Sequence, residues 1–379
     1  MSSASAADDA TQLATSGAST PRAAESSTPG GHATMLGGND RYATRRELGR
    51  GGMGAVSLAF DRDIDREIAV KRLISDSPEA IARFVDEARI VGKLEHPNIA
   101  PVHDIGVDDQ GRLFFVMKYV EGDTLRRIIE RLSAGDRDYH ERFGFDRRLD
   151  IFAGIVRALK YAHKRGIVHR DVKPDNVIVG PCGEVMLMDW GIAHVIGRAD
   201  DDASPATPSK RMADETADGS LLGTLRYMSP EQAAGKVREL DGRSDLYSAF
   251  VVLYELLALR PFIDLPADSN PLSYVTAPRT PPPLAGATWQ RDDQRAVPTE
   301  LRHFLRWGLQ EDPAKRPADA GIALDELHAI RTGDVRVQCP VTLQRRMMVG
   351  WQRMLDRSPV LAFVPLVLVI AFVIVALAT

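Results

Sequence analysis

Ile167-Val168-His169-Arg170-Asp171-Val172-Lys173-Pro174-Asp175-Asn176-Val177-Ile178-Val179 packs an acid, a cation and an amide into one short turn between an apolar lead-in and a three-residue apolar run. Such spacing suits phosphoryl transfer, where a protein mainly positions reactants and neutralises charge rather than making covalent bonds. In that chemistry Asp171 accepts or orients the proton of an attacking hydroxyl, Lys173 offsets charge on the moving phosphoryl group, and Asn176 holds a metal ion. The same letters also describe a polar loop with no chemistry. A phosphate cradle, a second metal ligand and a phosphate-anchoring lysine elsewhere in the chain decide between the two.

Upstream lies Gly49-Arg50-Gly51-Gly52-Met53-Gly54-Ala55-Val56-Ser57-Leu58-Ala59-Phe60. Glycines let a tight hairpin approach phosphates without a Cβ in the way. A dinucleotide-binding turn has the same letters but needs a helix straight after them, whereas Val56 to Phe60 alternates like a strand. No GxxxxGK occurs, which excludes a P-loop. Glu67-Ile68-Ala69-Val70-Lys71-Arg72-Leu73 is a further strand with a lysine in an apolar setting. Ser77-Pro78-Glu79 then starts a helix, with a capping serine, a first-position proline and an acid in the first turn; it is predicted to run to about Leu94. On it Glu87 is surrounded at helical spacing by Phe84, Ile90, Val91 and Leu94, so its carboxylate needs a cation. Lys71 is the obvious one, with Lys93 or Arg83 as surface alternatives. Leu113 to Gly122 is an apolar strand running into a turn. It offers backbone hydrogen bonds to an adenine with Met117 at the rear of the pocket, or it is an ordinary core strand.

Downstream, Gly180-Pro181-Cys182-Gly183 turns Val177-Ile178-Val179 back into Glu184-Val185-Met186-Leu187-Met188 as a hairpin, which brings Asp189-Trp190-Gly191 beside Asn176. An acid and an amide at one hairpin mouth make an oxygen-rich site for Mg²⁺. Gly223-Thr224-Leu225-Arg226-Tyr227-Met228-Ser229-Pro230-Glu231 closes a polar loop. Asp245 opens an apolar helix to about Leu257, and Glu231 and Arg316 are candidate ion-pair partners.

From about Tyr42 to Thr332 the chain resembles the eukaryotic-like serine/threonine protein kinases, especially the membrane-bound bacterial ones. The resemblance implies an α+β, two-lobed kinase fold: a small, mostly β N-lobe over about 42–120, a larger helical C-lobe over about 121–332, and ATP in the cleft between them. It implies that Gly49, Gly51, Gly52 and Gly54 with Val56 form the glycine loop, and that Leu48, Ala69, Met117 and Tyr119 line the nucleotide. Lys71 becomes the phosphate anchor with Glu87 as its partner, Asp171 the catalytic base, Lys173 the serine/threonine-type lysine, Asn176 and Asp189 the magnesium ligands, and Thr224 a support for the substrate-binding segment. The expected activity is ATP- and Mg²⁺-dependent phosphorylation of protein Ser/Thr hydroxyls. Arg170, before the base, usually receives an activation-loop phosphate in such kinases, with Thr216 or Ser220 as candidates here, Asp218 as a permanent substitute, and a homodimer as the route to trans-autophosphorylation. Three departures stand out. Trp190 replaces the usual Phe, Lys118 takes a hinge position where an acid is frequent, and no external sensor follows the membrane segment. A pseudokinase scaffold would usually lack one of the catalytic residues, and a small-molecule phosphotransferase would lack the Gly223–Glu231 segment.

The rest of the 379 residues frames this core. A net charge of -4, with no basic patch interleaved with aromatics, argues against nucleic acid. Cys182 and Cys339 make neither a disulfide framework nor a CxxC metal site. Residues 1–41, rich in Ser, Thr, Ala and Gly, are predicted to be a disordered tail without a signal peptide, Arg198 to Gly219 a long surface loop, and Ala277 to Pro283 a linker. Pro359 to Ala378 carries no charge, and 359–379 is predicted to be a single transmembrane helix. Arg345, Arg346, Arg353 and Arg357 in the basic juxtamembrane segment 333–358 place the kinase domain in the cytoplasm. With Met347, Met348, Trp351 and Leu355 between those arginines, this segment suits a helix lying on anionic lipid.

Overall fold

Side-chain alternation along Arg66–Leu73 (β3) decides how the first third of the chain packs. Ile68 and Val70 enter one buried cluster, Ala69 and Leu73 another, as a period of two requires. The structure, a computed structural model, describes residues 40–51, 54–191, 193–195, 225–236, 239–263 and 292–357. Within it β3 is the centre of a five-stranded antiparallel sheet with Tyr42–Arg50 (β1), Gly54–Asp61 (β2), Val102–Val107 (β4) and Leu113–Lys118 (β5), in the order β1-β2-β3-β5-β4. Pro78–Val91 (α1) covers the Ala69 face through Ala80, Phe84 and Ala88, with the Phe84 and Phe115 rings 5.0 Å apart. Ser77 caps α1 by accepting from Ala80 N–H at 3.2 Å. The helix stops about one turn before Leu94. There Lys93 and Leu94 donate to Ile90 and Val91 carbonyls at 3.1 and 2.8 Å, tightening the end into i→i−3 bonds.

The remainder is helical: Leu125–Ser133 (α2), Arg137–Arg142 (α3), Phe145–His163 (α4), Pro230–Ala233 (α5), Gly242–Ala258 (α6), Thr299–Gly308 (α7) and Ala320–Thr332 (α8). α6 is buried at every position from Ser244 to Ala258, which explains why its sequence is apolar all round rather than on one stripe. Phe250 of α6 meets Phe152 of α4 at 5.2 Å and Phe304 of α7 at 4.8 Å. Gly308 permits that approach, since a Cβ there would fall 2.1 Å from Phe250 Cγ. Arg148, buried in the apolar face of α4, has partners: its guanidinium donates to Phe143 O at 2.7 Å, Leu256 O at 3.0 Å and Gln294 Oε1 at 2.7 Å. The small, mostly β N-lobe and the larger helical C-lobe implied by the resemblance are both present.

At the junction of the lobes, the predicted hairpin forms from Val177–Val179 (β8) and Val185–Leu187 (β9), with Val177 opposite Leu187. Asp123–Thr124 (β6) adds a third strand that the sequence did not signal, and Ile167–Val168 (β7) pairs with His194–Val195 (β10). After α8 the chain forms Pro340–Arg357 (α9), docked on the C-lobe. Arg345 pairs with Glu300, and Arg353 pairs with Asp334 at 2.7 Å and Thr332 O at 2.9 Å. Two of the predicted headgroup arginines therefore turn back onto the domain, leaving Met347, Met348 and Trp351 exposed. Among the described residues no helix is long and apolar enough to cross a membrane. The span predicted at 359–379 lies outside them, as do residues 1–39 of the tail, the whole of the 198–219 loop, Gly52, Thr216, Ser220, Thr224 and the 277–283 linker.

Candidate active site

The loop after β7 is held from below by one carboxylate. Asp245, 1% exposed, accepts the His169 N–H at 2.8 Å on Oδ2 and the Arg170 N–H at 2.7 Å on Oδ1, and His163 Nε2 lies 2.8 Å from Oδ2. Burial opposes its charge, but the His163 contact and the backbone donors outweigh burial and hold the carboxyl below the usual range. The sequence suggested that Asp245 opens the helix. Instead Asp241 caps α6, accepting from Arg243 N–H at 2.8 Å, and Asp245 in the first turn faces inward. Its grip supports an uncommon backbone: Arg170 has φ +67°, a left-handed conformation costing a non-glycine residue about 1–3 kcal/mol. Gln232 Nε2 donates to Arg170 O at 3.0 Å and fixes the other side of that peptide.

Asp171 therefore enters the cleft in one orientation. Its Oδ2 accepts from Lys173 Nζ at 2.8 Å and from Asn176 Nδ2 at 3.0 Å, and the Asn176 amide also donates to Asp171 O at 2.8 Å. These contacts set the amide flip, so that Asn176 Oδ1 is the atom that could hold a metal ion. Burial raises the Asp171 pKa, against the pull of Lys173. His169 Nδ1 accepts from the Asp171 N–H at 3.2 Å while Nε2 faces Met188 O at 3.1 Å, a pattern that fits the Nε2–H tautomer.

The second half of the site converges from three elements. Lys71 Nζ on β3 lies 2.6 Å from Glu87 Oε1 on α1 and 3.1 Å from Asp189 Oδ1 after β9. The alternatives considered for Glu87, Lys93 and Arg83, are not its partners. Burial opposes the charge on Lys71, but Asp189 and Glu87 outweigh it and raise the pKa. Burial pushes Glu87 up to about 7 despite Lys71. The Asp189 side chain is 48% exposed; burial works against its charge, yet Lys71 prevails and holds the carboxyl low. Its φ is +57°, and Met188 N–H, donating to Asn176 O at 2.8 Å, brings Asp189 beside the amide as predicted. Gly191 sits close against both carboxylates, since a Cβ there would lie 3.1 Å from Glu87 Oε2 and 3.4 Å from Asp189 Oδ1.

The glycine turn joins β1 and β2 through Gly51 N–H to Gly54 O at 2.9 Å. Gly54 is sterically needed, its virtual Cβ falling 2.5 Å from Arg72 O, whereas Gly49 and Gly51 have open space around them. Behind the turn, Ala69 and Met117 are cross-strand partners, and Val56, Tyr119 and Met188 pack on the same cluster. Met188 was not singled out from sequence. Leu48 and Lys118 are exposed at the edges. Trp190 is 1% exposed, 4.4 Å from the His169 ring, with no hydrogen-bond partner for Nε1 among the described residues.

Below the cleft, Arg316 Nη1 and Nη2 reach Glu231 Oε1 and Oε2 at 2.6 and 2.8 Å, the pair predicted, and Ser244 Oγ donates to Glu231 at 2.7 Å. Burial opposes the Glu231 charge, but Arg316 outweighs it and lowers the pKa. Tyr227 donates to Glu255 at 2.6 Å and accepts from Arg126, which also pairs with Asp175 at 3.0 Å.

Comparison with known proteins gives this arrangement a family. Residues 42–327 match the protein kinase domain. The chain belongs to the eukaryotic-like protein kinase family. This kinase is similar to the serine/threonine-protein kinase PknA of Mycobacterium tuberculosis, 35% identical over 301 residues, which covers 77% of this chain and 62% of that one. It is similar to the serine/threonine-protein kinase pkn3 of Myxococcus xanthus, 35% identical over 337 residues, 86% of this chain and 54% of that one. It also resembles PknD of Protochlamydia amoebophila, a serine/threonine-protein kinase, 37% identical over 232 residues, 59% of this chain but 23% of that one. The kinase thus spans between about a quarter and three fifths of the length of these curated relatives. Its site includes residues that motif reading missed, Asp245 above all. An acid in the first turn of a helix ordinarily reads as a dipole partner, and that reading hid it.

Proposed function

We propose that this kinase transfers the γ-phosphoryl group of ATP, with Mg²⁺, to serine or threonine hydroxyls of proteins, and that it works from a membrane anchor at 359–379. The observation carrying the transferase reading is Lys71 shared between Glu87 and Asp189, in the cleft where Lys173 and Asn176 also hold Asp171.

The donor set fits Mg²⁺: Asp189 and Asn176 Oδ1 are hard oxygen donors at one hairpin mouth, few enough to leave coordination for water and phosphate. When bound, Mg²⁺ supplies positive charge to the phosphate oxygens. Glu87 positions Lys71 so that its ammonium faces those oxygens as well. Val56, Ala69, Met117 and Met188 form an apolar slot for a flat base. Asp171, its pKa raised by burial, orients the attacking hydroxyl and takes its proton at Oδ1 or Oδ2. Lys173, 2.8 Å from Asp171, adds charge where negative charge develops on the phosphoryl group. A phosphoryl group moved from ATP to the Thr216 or Ser220 hydroxyl by a second copy of the chain, with ADP leaving, would pair with Arg170.

Membrane attachment is supported by the uncharged run from Pro359 to Ala378 and by the exposed Met347, Met348 and Trp351 of α9, which precede it. The decisive experiment compares the phosphoproteome of cells carrying wild type and Asp171→Asn, alongside transfer to a Ser/Thr peptide by the purified chains. Transfer should fall by about 10²–10⁴-fold while Mg–nucleotide binding persists. Equal phosphorylation in both would identify a nucleotide-binding scaffold.

A further inference from the structure

On the C-lobe, at the junction of α4, α8 and the turn before β4, lies a cavity of about 460 Å³. Six of its lining side chains are basic or imidazole: His96, Arg157, Lys160, Lys164, His328 and Arg331. None of its lining residues is acidic. Arg157 and Lys160 project from one face of α4 at i and i+3, Lys164 follows at the C-terminal cap of that helix, and His328 and Arg331 come from α8 at i and i+3, so two packed helices converge their cations on one concavity. The floor is apolar, with Leu324, Leu327 and the Tyr161 ring, which lies 5.0 Å from the His96 ring and carries Arg165 over it at 3.6 Å.

Cations in protein surfaces are normally balanced. Arg331 has Asp150 at 2.7 Å, but Arg157, Lys160 and Lys164 have no carboxylate within ion-pair distance among the described residues. Asp319, near Lys160 at the start of α8, is engaged as the cap of that helix, accepting from Ile322 N–H at 2.9 Å. The uncompensated field is felt by His96, whose pKa is lowered by burial and then by Arg157 and Arg165. Concentrated positive charge over an apolar floor matches an anionic headgroup with attached acyl chains better than it matches a bare ion.

The pocket's position selects the source of that headgroup. Arg331 is followed by Thr332, whose carbonyl accepts from Arg353 of α9 at 2.9 Å, and Val349 packs where a Cβ at Gly333 would be, 2.7 Å from Val349 Cγ2. Six residues beyond Arg353 the uncharged run begins at Pro359, no more than about 20 Å of chain even fully extended. We infer that this cavity binds the phosphate headgroup of an anionic phospholipid, so that the C-lobe rests on the bilayer through α4 and α8. This rests on the membrane-anchor reading above.

The test uses the full chain mixed with vesicles of phosphatidylcholine containing a photoreactive phosphatidylglycerol, followed by peptide mapping. Label should appear in residues 153–164 and 324–331 as well as in α9. Each Lys or Arg near an anionic surface is worth roughly fivefold in affinity, so Arg157→Gln/Lys160→Gln/Lys164→Gln should cut pocket labelling at limiting lipid by on the order of a hundredfold. The α9 label should stay, and the melting temperature should match wild type. Label on α9 with none in the pocket, or pocket label unchanged in the triple variant, overturns the pocket and leaves the anchor standing. Displacement of the pocket label by inorganic phosphate while vesicle binding persists reassigns the cavity to a soluble phosphate and overturns the lipid. A chain that stays in solution with these vesicles overturns both readings.

Discussion

Asp245→Asn probes the support of the catalytic loop without touching any residue proposed to meet substrate. The carboxylate accepts two backbone N–H groups at 2.8 and 2.7 Å and faces His163 at 2.8 Å, the first of these contacts buried and the other two part-buried. Asparagine keeps one acceptor oxygen and turns an NH₂ toward the other donor. One charge-assisted bond worth about 1.5–3 kcal/mol is lost, and a buried N–H facing another donor adds about 1–3 kcal/mol. Taking about 3 kcal/mol as the combined effect, the population of the loop with Arg170 at φ +67° falls by roughly two powers of ten. Transfer to a peptide should fall by on the order of a hundredfold through kcat, with ATP affinity held within about threefold because Lys71, Glu87 and Asp189 are untouched. Thermal unfolding of the purified chain should move down by roughly 5–10 °C. A variant that melts and transfers like wild type would refute the claim that Asp245 fixes the loop.

Two other outcomes follow from buried groups. Glu87 has its pKa raised to about 7, so its ionisation completes the Lys71 pair only as pH rises through that value. Transfer should climb with pH below about 7 and level off above it, and Glu87→Gln should flatten the limb and lower the plateau; a limb surviving in the variant assigns it to another group. In stability the sign is opposite, because a carboxyl with raised pKa favours the folded state fully below its unfolded value of 4.5 and loses that contribution as pH rises through about 7. Trp190→Phe removes packing volume worth about 1–3 kcal/mol but also a buried N–H without a partner, of similar cost, so unfolding should change by less than about 1 kcal/mol, whereas Trp190→Ala should lose about 3–5 kcal/mol. A Phe variant as unstable as the Ala variant would show that the indole N–H is satisfied in solution.

What the sequence made legible was the part carried by short spacing. The Lys71–Glu87 pair could be anticipated because an acid among Phe84, Ile90 and Val91 cannot be left without a cation, and the hairpin that delivers Asp189 to Asn176 is announced by its turn residues. The Glu231–Arg316 pair, 85 residues apart, was also anticipated. Asp245 escaped because its partners lie 75 and 76 residues away, where no local period points. Arg148 escaped for the same reason: its acceptors include carbonyls at the end of α6 and a side chain 146 residues on. Gly54 has a packing requirement that its place in the glycine turn did not announce. The chain needs glycine there because β3 backbone crowds it, while the glycines with open space around them are Gly49 and Gly51.

The burial of α6 has a consequence for how the protein is born. The segment containing Asp171 is synthesised well before Asp245, and Glu231 leaves the ribosome before Arg316, 85 residues later. At about 5–20 residues per second, the nascent chain waits roughly 4–15 s between making its catalytic turn and receiving the carboxylate that shapes it. The sheet and α1 can fold during that wait, but the machinery for transfer cannot be assembled, so a half-made chain on the ribosome is silent until its C-lobe is complete.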